Sequence, residues 1–359
     1  MASNGGCLGL GGKLPGNPLK ERGCRSGGWR LFAINLLLAA VIAVTLLAHP
    51  LAGQSPLPEP GDATLVLQRD VGSGSPGSRY GSVSWSPDGQ TITFSRIGEV
   101  SRLPDRPGLK FHPSDIWVVG IQGQSPRRLT RQAAGEHNDN PSWSPDGRRI
   151  IFNRSVGLDV LVTGPTPRWT QEIWTINPDG SGARALTNLG RARDPSWSPD
   201  GTKIVFSGAG ASGNSRVYVM NADGSGASSV WEGPGNVESP RFVGDSGKFI
   251  LVANAREVID SSSTNDLQVL DPRTRELRTV ATGQGHMAPV VSPDGKFIVY
   301  GRGDVLWIMT SADAIAGVVP EPQTRSLTAG RGAAFSPDGA RIAFAKDPWQ
   351  IWVLTLKQP

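Results

Sequence analysis

The sequence predicts an all-β fold: a six-bladed β-propeller of four-stranded antiparallel blades, preceded by a single N-terminal transmembrane helix. Three observations predict it. The motif Ser-Pro-Asp-Gly recurs at 86–89, 144–147, 198–201, 292–295 and 336–339, with a degenerate sixth copy, Val243-Gly244-Asp245-Ser246-Gly247. Each copy lies between an aromatic or apolar residue (Trp85, Trp143, Trp197, Phe242, Val291, Phe335) and an alternating apolar run such as Thr91-Ile92-Thr93-Phe94. Ahead of all of them, residues 31–48 form an apolar stretch broken only by Asn35 and Thr45. Proline presets φ at the second position of a turn, aspartate caps the turn's backbone, and glycine takes φ > 0. One such turn makes a hairpin, and six in register make a repeat architecture.

The 359 residues suffice for one large repeat domain plus a tail, and 46 glycines with 29 prolines suit many short strands and turns. The net charge of +5 is concentrated at the start. Residues 1–30 hold Lys13, Lys20, Arg22, Arg25 and Arg30 against Glu21, which leaves +1 for the rest. A near-neutral repeat region implies no polyanion-binding surface, so nucleic acid is not an expected partner. Cys7 and Cys24 both precede the apolar stretch, so no disulfide framework is available to the repeats. A domain near this size can bury about 75% of its unfolded surface and needs no covalent staple.

In chain order, 1–30 reads as a basic, disordered cytoplasmic tail. Residues 31–48, at about 1.5 Å per residue, would span roughly 27 Å, just sufficient for a bilayer. Basic residues precede this stretch and none closely follows, which places the N-terminus in the cytoplasm and the remainder outside it. The core is longer than a cleavable signal's and is followed by poor cleavage sites, so a retained signal anchor is favoured over a cleaved peptide. At 51–53, Leu-Ala-Gly resembles a lipobox, but Gln54 replaces the lipid-bearing cysteine. Residues 49–62, with Pro50, Pro56, Pro58 and Pro60, read as a semi-extended linker, and 63–359 as the propeller.

After each hairpin comes a third strand with an apolar-Trp or apolar-Tyr signature, as in Ile116-Trp117, Ile173-Trp174, Val217-Tyr218, Leu306-Trp307 and Ile351-Trp352. A fourth strand follows, ending in Leu129-Thr130, Leu186-Thr187 or Leu327-Thr328. The tryptophans are expected to pack between blades. The pattern Pro141-Ser142-Trp143-Ser144-Pro145-Asp146-Gly147, with Ile150-Ile151-Phe152, Ile173-Trp174 and Leu186-Thr187 behind it, resembles the WD-like (WD40-like) propeller repeats of TolB. The resemblance covers about 63–359 and implies a TolB-like fold. TolB also carries a preceding α/β domain and a cleaved signal, where this sequence has a short linker. Membership of the Tol–Pal envelope complex is therefore not implied.

The ends of the chain predict closure. The sixth repeat stops after three strands, while an unassigned strand at 64–69 precedes the first repeat. Pairing the two would complete blade six and remove exposed sheet edges.

Candidate chemistry is sparse. Asn221-Ala222-Asp223-Gly224-Ser225-Gly226 with Glu232 fits a relaxed EF-hand spacing, and Asn177-Pro178-Asp179-Gly180-Ser181-Gly182 begins the same way. Both sit between strands rather than helices and read as blade turns. No Gly-x-Ser-x-Gly elbow occurs, and the histidines of the repeat region (His112, His137, His286) lack metal-type spacing. Residues just before each first strand should converge on the central tunnel: Tyr80, His137, Asp139, Arg193, Asp194, Glu238, His286 and Arg331. Three acids and two imidazoles there suit a cation; equally, the arginines would neutralise the acids in a solvated rim. Neither a cofactor nor a resident metal is expected.

The functional expectation is a monomeric, membrane-anchored, periplasmic module binding an envelope protein, a peptide or a glycan, with a metal-assisted lyase or hydrolase as the alternative. Loop length suggests where. Second-to-third connections are long in repeats one and two (97–114 and 155–170) and short in repeat three. The first carries Arg102, Arg106, Lys110 and His112; the second carries Arg168 and Trp169. Arginine and tryptophan are enriched at binding hot spots, so the face over blades one and two is the expected binding surface.

Overall fold

The computed structural model describes residues 56–68, 79–98, 101–103, 106–111, 113–131, 133, 135–156, 170–209, 215–233, 236–243, 248–255, 264–284, 288–316, 324–346 and 350–357. These build six four-stranded antiparallel units, the first two joined into one sheet by a single parallel pairing, Ser114↔His137. Strand β1 (Glu59–Gln68) comes first. Blade one is β2 (Arg79–Trp85), β3 (Thr91–Ile97), β6 (Ser114–Gly120) and β7 (Arg127–Arg128), with a hairpin, β4 (Ser101–Leu103) and β5 (Arg106–Phe111), between its second and third strands. Blade two is β8 (Glu136–Trp143), β9 (Ile150–Val156), β10 (Thr170–Ile176) and β11 (Arg184–Ala185). Blade three is β12 (Ala192–Trp197), β13 (Lys203–Ala209), β14 (Ser215–Asn221) and β15 (Ser228–Gly233). Blade four is β16 (Asn236–Val243), β17 (Phe249–Ala255), β18 (Thr264–Asp271) and β19 (Glu276–Gln284). Blade five is β20 (Val290–Val291), β21 (Phe297–Arg302), β22 (Val305–Thr310) and β23 (Arg325–Ala329), with helix α1 (Ser311–Ala316) after its third strand. Blade six is β24 (Arg331–Phe335), β25 (Arg341–Lys346), β26 (Gln350–Lys357) and β1 itself.

The ring closes as the chain ends require. Strand β1 pairs antiparallel with β26 from Glu59↔Lys357 to Gln68↔Gln350 and supplies the missing fourth strand. It begins at Glu59, inside the proline-rich stretch. Six buried clusters then occupy the six blade interfaces. The one between blades six and one joins Val66, Ala343, Ala345, Ile351 and Val353 to Val83, Trp85, Ile92 and Phe94. The others follow around the ring, for instance Ile151 and Ile173 against Ile204, Phe206 and Met220 between blades two and three.

The repeated motif explains both the hairpins and their packing. In the intact copies the serine carbonyl accepts the glycine N–H at 2.8–2.9 Å, and the glycines sit at φ of 68–72°. The serine hydroxyl donates to the aspartate, as Ser198 Oγ to Asp200 Oδ1 at 2.5 Å, and accepts the N–H five residues on, as from Lys203 at 2.9 Å. These bonds satisfy turn groups that water would otherwise hold. The glycines also let neighbouring turns touch: a β-carbon at Gly201 would lie 3.5 Å from Pro145, and one at Gly89 would lie 3.7 Å from Pro337, across the closure.

The first-strand tryptophans pack between blades as expected. Trp85 Nε1 donates to the Ala334 carbonyl at 3.2 Å, Trp143 Nε1 to Thr93 Oγ1 at 2.6 Å and Trp197 Nε1 to the Ser142 carbonyl at 3.3 Å. Each thus reaches back to the preceding blade. The Leu-Thr endings have a similar structural reason. Thr130 Oγ1 accepts the Ile116 N–H and donates to Asp115, while Thr187 does the same with Ile173 and Glu172.

Helix α1 is an addition to the all-β pattern read from the repeats. Its signal is local: Thr310 Oγ1 accepts the Asp313 N–H at 3.1 Å, an N-terminal cap, and Asp313 Oδ2 accepts the Thr310 hydroxyl at 2.5 Å. No helix among the described residues is long and apolar enough to cross a membrane, and residues 31–48 lie outside the described residues.

Candidate functional site

The innermost strand of each blade borders the central channel, and five of the six share one irregularity. The pairing register slips by one residue between Tyr80 and Val83, Asp139 and Ser142, Arg193 and Ser196, Glu238 and Arg241, and Arg331 and Ala334. These are β-bulges, with one extra residue on the inner strand. Asn140, Asp194 and Ser239 occupy the bulges at φ of 51°, 56° and 50°, and Gly332 does so at 61°. Proline follows the first three, which is tolerated because a bulge leaves an N–H unused.

This geometry sorts the expected tunnel residues. Tyr80, Asp139, Arg193, Glu238 and Arg331 occupy equivalent positions, each immediately before the slip. Asp194 lies in the bulge itself, and His137 lies two residues ahead of Asp139. His286 falls outside the described residues, and the side chain of Tyr80 is likewise not described.

The bulge side chains are tied from blade to blade. Ser82 Oγ donates to Asn140 Oδ1 at 2.5 Å, Asn140 Nδ2 to Asp194 Oδ1 at 2.6 Å, and the Ser239 N–H to Asp194 Oδ2 at 3.2 Å. Ser207 Oγ adds a contact to Asp194 Oδ2 at 3.3 Å. Asp194 is therefore a structural acceptor joining blades two, three and four. Beside it, Arg193 pairs with Glu238 at 3.4 Å and donates to Asn236, whose Nδ2 donates to Glu238 at 2.8 Å. His137 Nε2 lies 3.0 Å from Asp139 Oδ2, while Asp139 Oδ1 is buried without a hydrogen-bond partner. Arg331 is exposed. The acids are thus mostly engaged by neighbouring groups, and no cluster of three potential metal-ligating side chains occurs among the described residues.

At the other end of the channel, the SPDG turns enclose a cavity of about 480 Å³ that touches all six blades. Trp85, Trp143, Trp197, Phe242, Val291 and Phe335 line it, together with Pro87, Pro145, Pro199, Pro293 and Pro337 from the turns. One lining residue was missed in the sequence. Arg241 stands where blades two and three carry Ser142 and Ser196, and its guanidinium donates to its neighbour's carbonyl, Pro240 O, at 2.8 Å. Burial holds the Arg241 pKa below the ordinary arginine value, and the Asp194 charge partly offsets that. The signal that would have found it is an arginine inside an otherwise small-residue position of the repeat.

Of the residues expected on the opposite face, Arg102 lies on β4, and Arg106 and Lys110 lie on β5. The long first connection is therefore a hairpin with Arg102 opposite Lys110. Among these residues, His112, Arg168 and Trp169 lie outside the described residues. The two EF-hand-like stretches are turns between third and fourth strands: Asp179 and Asp223 each accept the N–H two residues on, from Ser181 and Ser225, at 2.8 Å.

The TolB beta propeller domain model matches residues 160–323. An uncharacterized protein of Agrobacterium fabrum is 31% identical over 180 residues, covering 47% of this chain and 53% of its own length. A TolB homolog of Chlorobium luteolum is 33% identical over 137 residues, covering 38% of this chain and 25% of its own. The chain thus spans about half or less of the curated relatives it matches. A solved structure from Agrobacterium tumefaciens, provisionally assigned to TolB, superposes with a TM-score of 0.53 at 17% identity, over 77% of this chain and 89% of the other. That likeness is one of fold. The resemblance to TolB propellers read from the repeats is borne out.

Proposed function

We propose that the chain is a membrane-anchored extracytoplasmic binding module, whose propeller presents the face over blades one and two to an envelope protein, a peptide or a glycan. The observation that carries this reading is the state of the channel acids. Asp194, Glu238 and Arg193 are bonded to one another and to neighbouring blades, the arrangement of a rigid scaffold. A rigid scaffold with long variable connections is how loop-borne recognition is built. The TolB-like propeller supports the same class. In this reading residues 31–48 cross the membrane, and Arg102, Arg106, Lys110, His112, Arg168 and Trp169 supply the contacts.

In-cell crosslinking of the intact protein, read by mass spectrometry, tests it. Replacing Arg106, Arg168 and Trp169 together by alanine is expected to abolish the captured partner while the melting temperature stays unchanged. Capture that survives this change overturns the assignment of the face. External protease on spheroplasts tests the topology: the propeller is expected to be cut and the basic tail spared.

The second reading, a metal-assisted lyase or hydrolase at the tunnel mouth, is favoured by the His137–Asp139 pair and the unpartnered Asp139 Oδ1. A stoichiometric metal in purified protein, lost in the His137→Ala, His286→Ala double variant, would establish it.

A further inference from the structure

We propose that the SPDG end of the channel is a carboxylate-binding site, with the Arg241 guanidinium as its receptor. Four observations converge on it. Among the described residues Arg241 is the only lysine or arginine lining the cavity of about 480 Å³, which apart from Asp294 is walled by aromatic, apolar, proline, serine and glycine residues. Arg241 is half-buried there, and a cation partly withdrawn from water favours an anion and hydrogen-bond acceptors. The nearest protein candidate cannot serve fully. Asp194 already accepts from Asn140, Ser239 and Ser207, and it forms no ion pair with Arg241 within 4.0 Å.

The one carboxylate among the described lining residues, Asp294, is also committed. It accepts the Ser292 hydroxyl at 2.6 Å and the Lys296 N–H at 3.1 Å, and it lies 3.4 Å from Lys296 Nζ. A guanidinium has five N–H donors in a planar fork. The described structure uses one bond, to the Pro240 carbonyl, and leaves donors for a ligand. Arg241 also breaks the repeat at a channel-facing position, so the ring's own packing does not call for it.

The chemistry of the wall selects the ligand class. A single guanidinium matches one carboxylate in charge and in bidentate geometry. A phosphate dianion would leave an uncompensated charge among apolar walls. The Ser142 and Ser196 residues on the lining offer further hydroxyls, and the aromatic ring suits an apolar remainder. The carboxylate has two sources, a small organic acid or the C-terminus of a polypeptide. This site lies at the SPDG end, away from the loops of the proposed partner face, so either proposal stands if the other fails.

The lining tryptophans Trp85, Trp143 and Trp197 provide an internal reporter. Intact protein is titrated with benzoate, with inorganic phosphate, and with short peptides ending in phenylalanine as the free acid or the amide. Saturable changes in tryptophan fluorescence, confirmed by calorimetry, are expected for benzoate or the free-acid peptide, and weaker ones for phosphate and the amide. Benzoate alone binding identifies a small acid; tighter free-acid peptide binding identifies a polypeptide terminus. Arg241→Ser installs the residue that blades two and three use and is expected to weaken binding about tenfold or more, the scale of a lost charged hydrogen bond. Arg241→Lys, which keeps the charge, is expected to retain part of it and guards against a misfolded serine variant. Absence of saturable binding by every carboxylate overturns the proposal. So does undiminished affinity in a folded Arg241→Ser protein, or a preference for phosphate.

Discussion

Blades three and four are neighbours in the ring, yet one follows the repeat and the other departs from it at nearly every position. In blade three Trp197 pairs with Ile204, seven residues on, across a turn locked by Ser198 and Asp200. In blade four Phe242 pairs with Ile250, eight residues on, and valine replaces the locking serine. The remaining blades keep the seven-residue spacing, from Trp85↔Ile92 to Phe335↔Ile342. Blade three stacks Phe206 on Tyr218 at 5.1 Å, where blade four sets Val252 opposite Gln268. Arg241 replaces Ser196. Even so, blade four buries Val237, Ile250, Val252 and Leu270 against blade three as completely as other interfaces do. The ring therefore needs apolar interfaces at every junction, but it needs the turn lock and aromatic pair at only some. Positions released from repeat duty are free to carry other chemistry.

The largest expected effect tests closure, which both blades depend on. Deleting residues 59–68 removes β1 and leaves β26 an open edge. Net stability of a domain is only about 5–15 kcal/mol. Losing a ten-residue strand and the Val66 contacts is expected to consume most of it and to promote aggregation, as seen by calorimetry and light scattering. An unchanged melting temperature would refute the shared blade.

The turn lock separates the two blades at an intermediate scale. Ser198→Ala removes a nearly buried hydroxyl that donates to Asp200 and accepts from Lys203. A loss of about 1–2 kcal/mol is expected in urea unfolding. Asp245→Asn in blade four, where position 243 has no hydroxyl, is expected to cost less than about 0.5 kcal/mol. Equal costs would mean that blade four locks its turn by other means.

Acid titration sharpens the same contrast. Serine hydroxyls first, then backbone N–H groups, hold Asp88, Asp146 and Asp200 below the usual carboxylate range. Asp338 is held down chiefly by Ser336, against some burial. A depressed folded pKa contributes stability that is fully present above the unfolded value, about 3.9, and is lost as pH falls through the folded value. Melting temperature should therefore decline below about pH 4. Asp200→Asn should flatten that decline slightly; a steeper decline in this variant would contradict the assignment.

Much of the ring was legible because its physics is local and repeated. Ser-Pro-Asp-Gly specifies its own turn, and the strand at 64–69 had no other partner than β26. What escaped were features that depend on a single copy. Helix α1 rests on one threonine cap, and the β4–β5 hairpin lies in a connection that read simply as long. At the tunnel mouth the residue set was legible but its division of labour was not. The bulge puts Asp194 into interblade bonding while the preceding position carries Arg193 toward Glu238. Sequence spacing cannot distinguish adjacent residues on a bulge, since the extra residue breaks the alternation of faces. Arg241 was readable as a break in the repeat, but only the assembled cavity gives it a meaning.

The smallest expected effect concerns the aromatic pairs. Third-strand tryptophans in four blades carry a cation from the second strand: Arg96 over Trp117 at 4.9 Å, Arg154 over Trp174 at 4.4 Å, Arg302 over Trp307 at 5.7 Å and Lys346 over Trp352 at 5.3 Å. Blade three lacks one because Gly208 stands there, and blade four lacks both partners. Arg154 also pairs with Glu136, so its removal would mix two effects. Lys346→Met is cleaner, because it keeps an unbranched side chain over the ring and deletes only the charge. Cation–π contacts at accessible sites contribute about 0.5–1 kcal/mol, and methionine restores part of that through sulfur–aromatic contact. A loss near 0.5 kcal/mol is therefore expected in urea unfolding, abolished when Trp352 is first changed to leucine. If the loss persists in the leucine background, the lysine acts through something other than the ring, and the aromatic pair is packing alone.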